Sequence, residues 1–473
     1  MAARRARAIR ATGACTVLLL LLACSATAPP AYDSGAALRH YEARRLDDPG
    51  LQQFLAQQSG PDAPAAAASW DPQRLVLAAL YFHPDLPIAR SQWQLARAQV
   101  LSAQAAPPVS LSAALGGATG AIGVSPWLAG AALEVLLEPG QRRQQRAERA
   151  AVLASAAQAQ VQQVAWQVQE GVLGAALELW SAQGREQGLA RRSQLQEQRA
   201  ALFERRVSAG EAAGAQWRRE LSARDQLALG LAQVRAAAAQ ARVRLSQAIG
   251  VPPAALAGQT LRLEQFDAAP TVPAAALDGT LLRQALQQRA DVRAALAQLQ
   301  AAQQDLQIEL ARRWPDLRLG PGYQFDLGAN KYLVSLGADW PRSEGPIAEA
   351  TARREQAARQ LLALQARLIT AVEEAAAGWR LGAAGLASAD ALLAAAQHRE
   401  ESAIGRLSAG TLDRPELLAA RIDREESVQA QRDMLERSWR LQLALEEALQ
   451  APLSPAPAHA WAASADAAVA GPP

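Results

Sequence analysis

Lysine is almost missing from this sequence. Lys331 is the single lysine in a chain whose Lys+Arg total is 48, and Asn330, next to it, is the single asparagine. Arginine stands in for lysine throughout, which is a compositional bias, so clusters of arginine do not by themselves mark a binding surface. Aromatic residues are 4% of the 473, which argues against compact aromatic cores and, with abundant alanine, glutamine and leucine, favours long helices. The formal charge is +3. Taking away Arg4, Arg5, Arg7 and Arg10 leaves −1, so the rest of the chain lacks the basic surplus that nucleic-acid binding needs.

Groups that carry chemistry are equally sparse. The histidines are His40, His83, His398 and His459, and Met434 is the only methionine after the first residue. No pair of these has ligand spacing, so no metal site is expected. A Gly-rich phosphate loop, a nucleophile elbow and an acid pair suited to hydrolysis are all missing. Glu373-Glu374 and Glu400-Glu401 read as solvated helix faces. The sequence points away from an enzyme and calls for no cofactor.

No apolar run reaches the ~20 residues that a membrane-spanning helix needs. The longest, Thr16 to Ala23, follows four arginines and reads as the core of a secretion signal over 1–23. Its end, Leu21-Leu22-Ala23-Cys24, resembles the lipobox of bacterial lipoproteins, in which the cysteine is acylated, with palmitate among its acyl groups, and becomes the mature N-terminus. Ser25 behind it resembles the outer-membrane sorting pattern. An ordinary signal cut near Ala26-Thr27-Ala28 is the alternative, but Pro29 and Pro30 would follow that cut awkwardly. The other cysteine, Cys15, lies inside the signal, so the mature chain has no internal disulfide. Residues 24–69 read as a lipidated, extended linker and 453–473 as a disordered tail, both being Ala/Pro-rich with few periodic signals.

Between them the chain repeats itself. Asp85-Leu86-Pro87-Ile88 opens a helical run that ends at Pro107-Pro108-Val109, and Asp291-Val292-Arg293-Ala294 opens another that ends at Trp314-Pro315-Asp316. Arg206-Val207-Ser208-Ala209-Gly210 returns as Arg406-Leu407-Ser408-Ala409-Gly410, and each copy stops near a proline, Pro252 and Pro452. Val161, Val164, Val168 and Val172 are answered by Leu361, Leu364, Leu368 and Val372, the stripe of a helix packed lengthwise. The halves are placed at 70–252 and 281–452, joined by a linker at 253–280. No proline interrupts Gln141 to Arg206, so a continuous helix there would be roughly 100 Å long.

Each half also carries two strands. Leu317, Leu319, Tyr323 and Phe325 alternate with Arg318, Gly320, Gln324 and Asp326; after turn residues 328–331, Val334, Leu336, Ala338 and Trp340 alternate with Ser335, Gly337 and Asp339. In the first half Val109, Leu111 and Ala113 form one run, and Trp127 to Leu137 alternates around Gly130 and Glu134. Strands of about ten residues cross a bilayer when tilted. Four strands are too few to close a barrel, and in lipid every sheet edge must be paired. Several subunits must therefore contribute strands.

At this point the sequence resembles the TolC-like outer-membrane efflux family, over roughly Trp70 to Pro452. The nearest local likeness is to the heavy-metal-efflux branch, through Arg313-Trp314-Pro315-Asp316-Leu317-Arg318-Leu319-Gly320-Pro321-Gly322-Tyr323, Gly345-Pro346-Ile347-Ala348-Glu349-Ala350, Ser125-Pro126-Trp127 and Glu138-Pro139-Gly140-Gln141. Trp340-Pro341-Arg342-Ser343-Glu344 is shorter than that branch commonly has.

The resemblance implies a mainly α fold with transmembrane β: two helix-strand-strand-long-helix-helix repeats, giving four strands per protomer. Three protomers complete an outer-membrane β-barrel continuous with a periplasmic α-helical barrel. It implies a homotrimeric passive export duct for small molecules or metal ions, working with a periplasmic adaptor and an inner-membrane pump of the resistance-nodulation-division type, held in outer-membrane lipid. Val207, Ser208, Ala209 and Gly210, and Leu407, Ser408, Ala409, Gly410 and Thr411, would be the adaptor-docking tips, Gly210 and Gly410 allowing the chain to reverse at positive φ. Glu416 would be an acid at the closed entrance, although a solvated helix face describes it as well. A periplasmic adaptor is a competing reading, disfavoured because adaptors normally carry one helical hairpin. A structural coiled-coil lipoprotein is another.

Overall fold

The computed structural model describes residues 33–59, 69–117, 125, 127–138, 141–273, 287–326, 328–339 and 344–453. The signal, Cys24 and the tail beyond Leu453 lie outside the described residues.

The stretch expected to be an extended linker holds two helices. α1 (Ser34–Glu42) belongs to a small N-terminal unit and starts on Asp33, whose carboxylate accepts from the backbone N–H of Gly35 and Ala36 at 2.9 and 3.1 Å. α2 (Pro49–Ser59) starts after Asp48, which accepts from Gly50 and Leu51, and Leu51, Phe54 and Leu55 are buried. An Asp cap followed by apolar residues at i, i+3 and i+4 is a helix signal that the surrounding Ala/Pro bias obscures.

The first repeat then runs β1 (Ser69–Trp70), α3 (Pro72–Phe82), α4 (Asp85–Gln104), β2 (Ser110–Gly117), β3 (Trp127–Leu137), α5 (Arg142–Ser208) and α6 (Gly214–Ile249). A connecting segment carries β4 (Thr260–Leu261), paired in parallel with β1. The second repeat runs α7 (Ala290–Ala311), β5 (Asp316–Asp326), β6 (Ala329–Asp339), α8 (Glu344–Ser408) and α9 (Arg414–Leu449). α6 and α9 have 36 residues each, and α5 and α8 have 67 and 65, so α5 is about 100 Å long. Among the described residues no helix is long and apolar enough to cross a membrane.

The predicted stripes are where the packing is. Val161, Val168 and Val172 are buried, as are Leu361, Leu368 and Val372, with Val164 and Leu364 partly covered. Along the width of the molecule α4 packs on α5, α5 on α7 and α7 on α8, while α5 pairs with α6, α8 with α9, and α9 also with α5. The main core gathers α2, α3, the middle of α5, the end of α6 and the connecting segment, whose Leu256, Leu263 and Phe266 are buried in it. The expected linker is thus docked as far as residue 273; residues 274–280 lie outside the described part.

Candidate functional site

Among the described residues no group of three or more His, Cys, Asp and Glu could hold a metal ion; the features with functional content are a sheet wall and two helix tips. The wall begins with one antiparallel four-stranded sheet in the order β2-β3-β5-β6. Its register puts Leu111 opposite Leu133, Val135 opposite Leu319, Leu317 opposite Ala338 and Tyr323 opposite Tyr332. Because side chains alternate, these residues share one face, which is apolar except for Asn330, opposite Phe325 at the hairpin end, where it accepts from the Tyr323 hydroxyl at 2.7 Å. Tyr323 and Tyr332 pack tilted at 53°, ring centroids 5.7 Å apart, near its far end, with Phe325 paired to Ala129 and Trp127 beyond. The face is solvent-open in the single chain: Leu115 is 88% exposed, Tyr332 83% and Leu336 73%. Eight residue steps, from Leu317 to Phe325, carry it about 26 Å along the strand.

The opposite face carries all the charges of the described strands among glycine, alanine and serine, with Leu128, Leu136 and Leu333 between them. Near the helical end Arg318 bonds Glu134 at 3.3 Å and Asp339 at 2.6 Å, and the buried Arg142 guanidinium pairs with Asp316. At the hairpin end Lys331 pairs with Asp326 at 2.8 Å. Ser335 Oγ donates to the Gly320 carbonyl at 3.0 Å, and glycines fill much of the space between. The outer edges of β2 and β6 have no partner strand among the described residues.

The repeat defines what is missing at those edges. β3 joins β5, α5 joins α7 and α5 joins α9 across the two halves; the equivalent joins, β6 to β2, α8 to α4 and α8 to α6, are absent among the extended contacts of the described residues. Residues at the unmade joins are apolar where their counterparts are covered. Ala294 and Ala301 on α7 are buried, while their equivalents on α4, Ile88 and Leu95, are exposed. Gln169 on α5 is buried, while Ile369 on α8 is exposed. The made join between α5 and α9 is ionic: Arg185 reaches Asp433 and Glu436 at 3.1 and 2.8 Å, and Ser181 Oγ also donates to Glu436. At the equivalent of Ser181 stands Leu381, 79% exposed.

The candidate tips come together at the other end of the helices. Both turns use the same hydrogen bonds: Gly210 N–H to Val207 O and Glu211 N–H to Arg206 O at 3.1 and 2.7 Å, then Gly410 N–H to Leu407 O and Thr411 N–H to Arg406 O at 3.1 and 2.9 Å. This double bond pattern requires a left-handed residue after the helix, and Gly210 and Gly410 stand at φ +74° and +71°. Ser208 and Ser408 hydroxyls donate to the carbonyls of Arg205 and Gly405, with Ala209 and Ala409 between. Arg206 reaches Asp413 at 2.8 Å, which ties one tip to the other. Glu416 is exposed in the first turn of α9, where a carboxylate suits the positive end of the helix dipole.

Two features were not read in the sequence. The Glu134–Arg318–Asp339 cluster draws on three strands, so only the register reveals it. Glu170, on α5, is pushed up to about 8, first by burial and then by the charges of Glu447 and Glu446. His83, which burial pushes down, lies beside Asp85 at the start of α4; no partner group gives it a chemical role.

No protein-family model and no curated relative matches the chain. Solved structures do. The outer membrane protein VceC from Vibrio cholerae is 18% identical with a TM-score of 0.66, covering 81% of this chain and 97% of its own. The outer-membrane channel OprN is 21% identical with a TM-score of 0.67, covering 90% and 97%. CusC, described for its folding and transmembrane channel formation, is 18% identical with a TM-score of 0.65, covering 80% and 91%. At these identities the likeness is one of fold.

Proposed function

We propose that this chain, which has the fold of the TolC-like outer-membrane channels, is one subunit of a homotrimeric passive duct through the bacterial outer membrane. The observation that carries the reading is the largely apolar face of the four-stranded sheet, exposed in the single chain and backed by a face that holds every charged residue of the described strands. Its length is of the order of the roughly 25 Å apolar band of outer-membrane barrels, whose interior is polar. Aromatic residues near the hairpin end match an interfacial girdle. A soluble sheet would have to cover that face.

The unmade joins support the subunit arrangement. Applying to a neighbouring copy the relation that already links the two halves pairs β6 with β2, α8 with α4 and α8 with α6, a head-to-tail contact that closes a ring. Eight strands would leave an interior filled by side chains, whereas three copies, as in the TolC-like plan, give twelve strands and room for a wet path. The helices continue this path into the periplasm. Energy comes from an inner-membrane pump, of the resistance-nodulation-division type in our reading, and an adaptor docks at the tips formed by residues 207–210 and 407–411. Glu416, exposed at that end, supplies an acid at the entrance. Cys24 carries the lipid anchor. The doubled strand pair disfavours an adaptor role for the chain itself.

The experiment is reconstitution of the purified protein in planar bilayers, with chemical cross-linking in membranes beforehand. Steady ion-conducting pores and a cross-linked trimer are expected. Recovery as a soluble monomer without detergent would overturn the reading.

A further inference from the structure

We propose that Glu134, Arg318 and Asp339 form the charge filter of the barrel segment, and that it favours cations; this rests on the channel reading. Arg318 sits on β5 between a carboxylate on β3 and one on β6, at 3.3 and 2.6 Å. All three side chains are about half exposed on the polar face, which becomes the lumen once the apolar face meets lipid. Each chain thus places two negative charges and one positive charge at the helical end of the barrel.

The other described charges of that face are paired one to one: Asp316 with Arg142, and Asp326 with Lys331. Between the two charged ends Gly320, Gly322, Gly337 and Ser335 leave the wall without charge. The net charge of the described polar face therefore comes from this cluster alone. Repeated around the barrel, it makes a closed ring with carboxylates in excess. Fixed carboxylate rings raise the local concentration of cations and exclude anions over about a Debye length, ~10 Å at 0.1 M salt. The guanidinium at the centre holds both carboxylates in place and halves their net charge. A substrate crossing this point is selected by charge, in a segment distinct from the tips and from Glu416.

Scarcity of cysteine gives a test on one folded channel. With Cys24 acylated, Glu134→Cys or Asp339→Cys would be the sole reactive thiol. Reversal potentials are measured across a KCl gradient at low salt, before and after a sulfonate-bearing and an ammonium-bearing thiosulfonate reagent. The unmodified protein is expected to prefer potassium. The preference falls in Glu134→Cys, returns with the sulfonate and inverts with the ammonium, while Arg318→Gln raises it above the parent. Exchanging the neutral pair, Asp326→Asn with Lys331→Gln, leaves it unchanged. Thiols that react without moving the reversal potential, or that stay unreactive in conducting channels, overturn the filter. Absence of conductance in the parent protein overturns the channel reading instead.

Discussion

Gly250 and Gln450 hold the same left-handed backbone, φ +85° and +48°, at the ends of α6 and α9, and they do so by different means. Each completes the two-bond helix terminus seen at the tips, with Val251 N–H to Ser246 O at 3.0 Å and Ala451 N–H to Glu446 O at 3.3 Å. At Gly250 an added Cβ would lie 2.8 Å from His83 Cα and 2.9 Å from Phe82 O, so only glycine fits. At Gln450 the side chain offsets the strain: its oxygen accepts from Ala290 N–H at 2.9 Å and its amide donates to Gln163.

The two positions should respond in opposite ways to substitution. Gly250→Ala adds ~1–2 kcal/mol of backbone strain to a clash with backbone that cannot give way, for a total of about 2–4 kcal/mol. Gln450→Gly removes strain and hydrogen bonds together and should stay within about 1 kcal/mol of the parent. Thermal unfolding in detergent compares them; equal losses would contradict the account.

At the tips the space is open. Nothing lies within 4 Å of a Cβ built on Gly210 or Gly410, so Gly210→Val and Gly410→Val are penalised by positive φ alone, ~1–2 kcal/mol each. The sheet is about 100 Å away along α5 and α8, and insertion and trimer formation should survive. Export and adaptor cross-linking should drop in both variants. If both functions persist at parental levels, the turns are not docking tips.

Glu170 gives the helical region a pH dependence of defined sign. Its carboxyl is raised from 4.5 to about 8, so the native state keeps a proton that the unfolded chain has lost. That contribution is full below about pH 4.5 and is lost as pH rises through about 8. Glu446, raised by burial in the same neighbourhood, acts in the same direction. Glu170→Gln cannot lose the proton. The melting temperature of the parent minus that of the variant should therefore fall from about pH 5 to about pH 8 and level off above it; a flat or rising difference across that range would refute the assignment.

Periodicity made most of the fold legible, because both the 3.6-residue stripe of Val161 to Val172 and the alternation of Leu317 to Phe325 are one-dimensional records of a side that is apolar throughout. The glycines of the tips were legible too, since only a left-handed residue ends a long helix in this way. Strand register was not. Glu134 looks like an isolated charge in an apolar run until Arg318 is found beside it. The helix α2 was hidden for a different reason: Leu51, Phe54 and Leu55 are too few to stand out from the alanine and proline around them. Burial of Glu170 depends on α9, whose acids lie far along the chain.

A sheet that crosses the outer membrane with its hairpins outward puts Lys331 within reach of reagents outside the cell. It is the chain's only lysine, it follows the β5–β6 turn, and its side chain is 46% exposed. With the N-terminus acylated at Cys24, as proposed above, no other amine competes. Intact cells are treated with an amine-reactive polymer too large to pass the outer membrane, and the protein is then isolated and assayed for label. Labelling of the parent in intact cells and none of Lys331→Arg is expected. Labelling of Lys331 only after the outer membrane has been broken would contradict the outward placement of the hairpins.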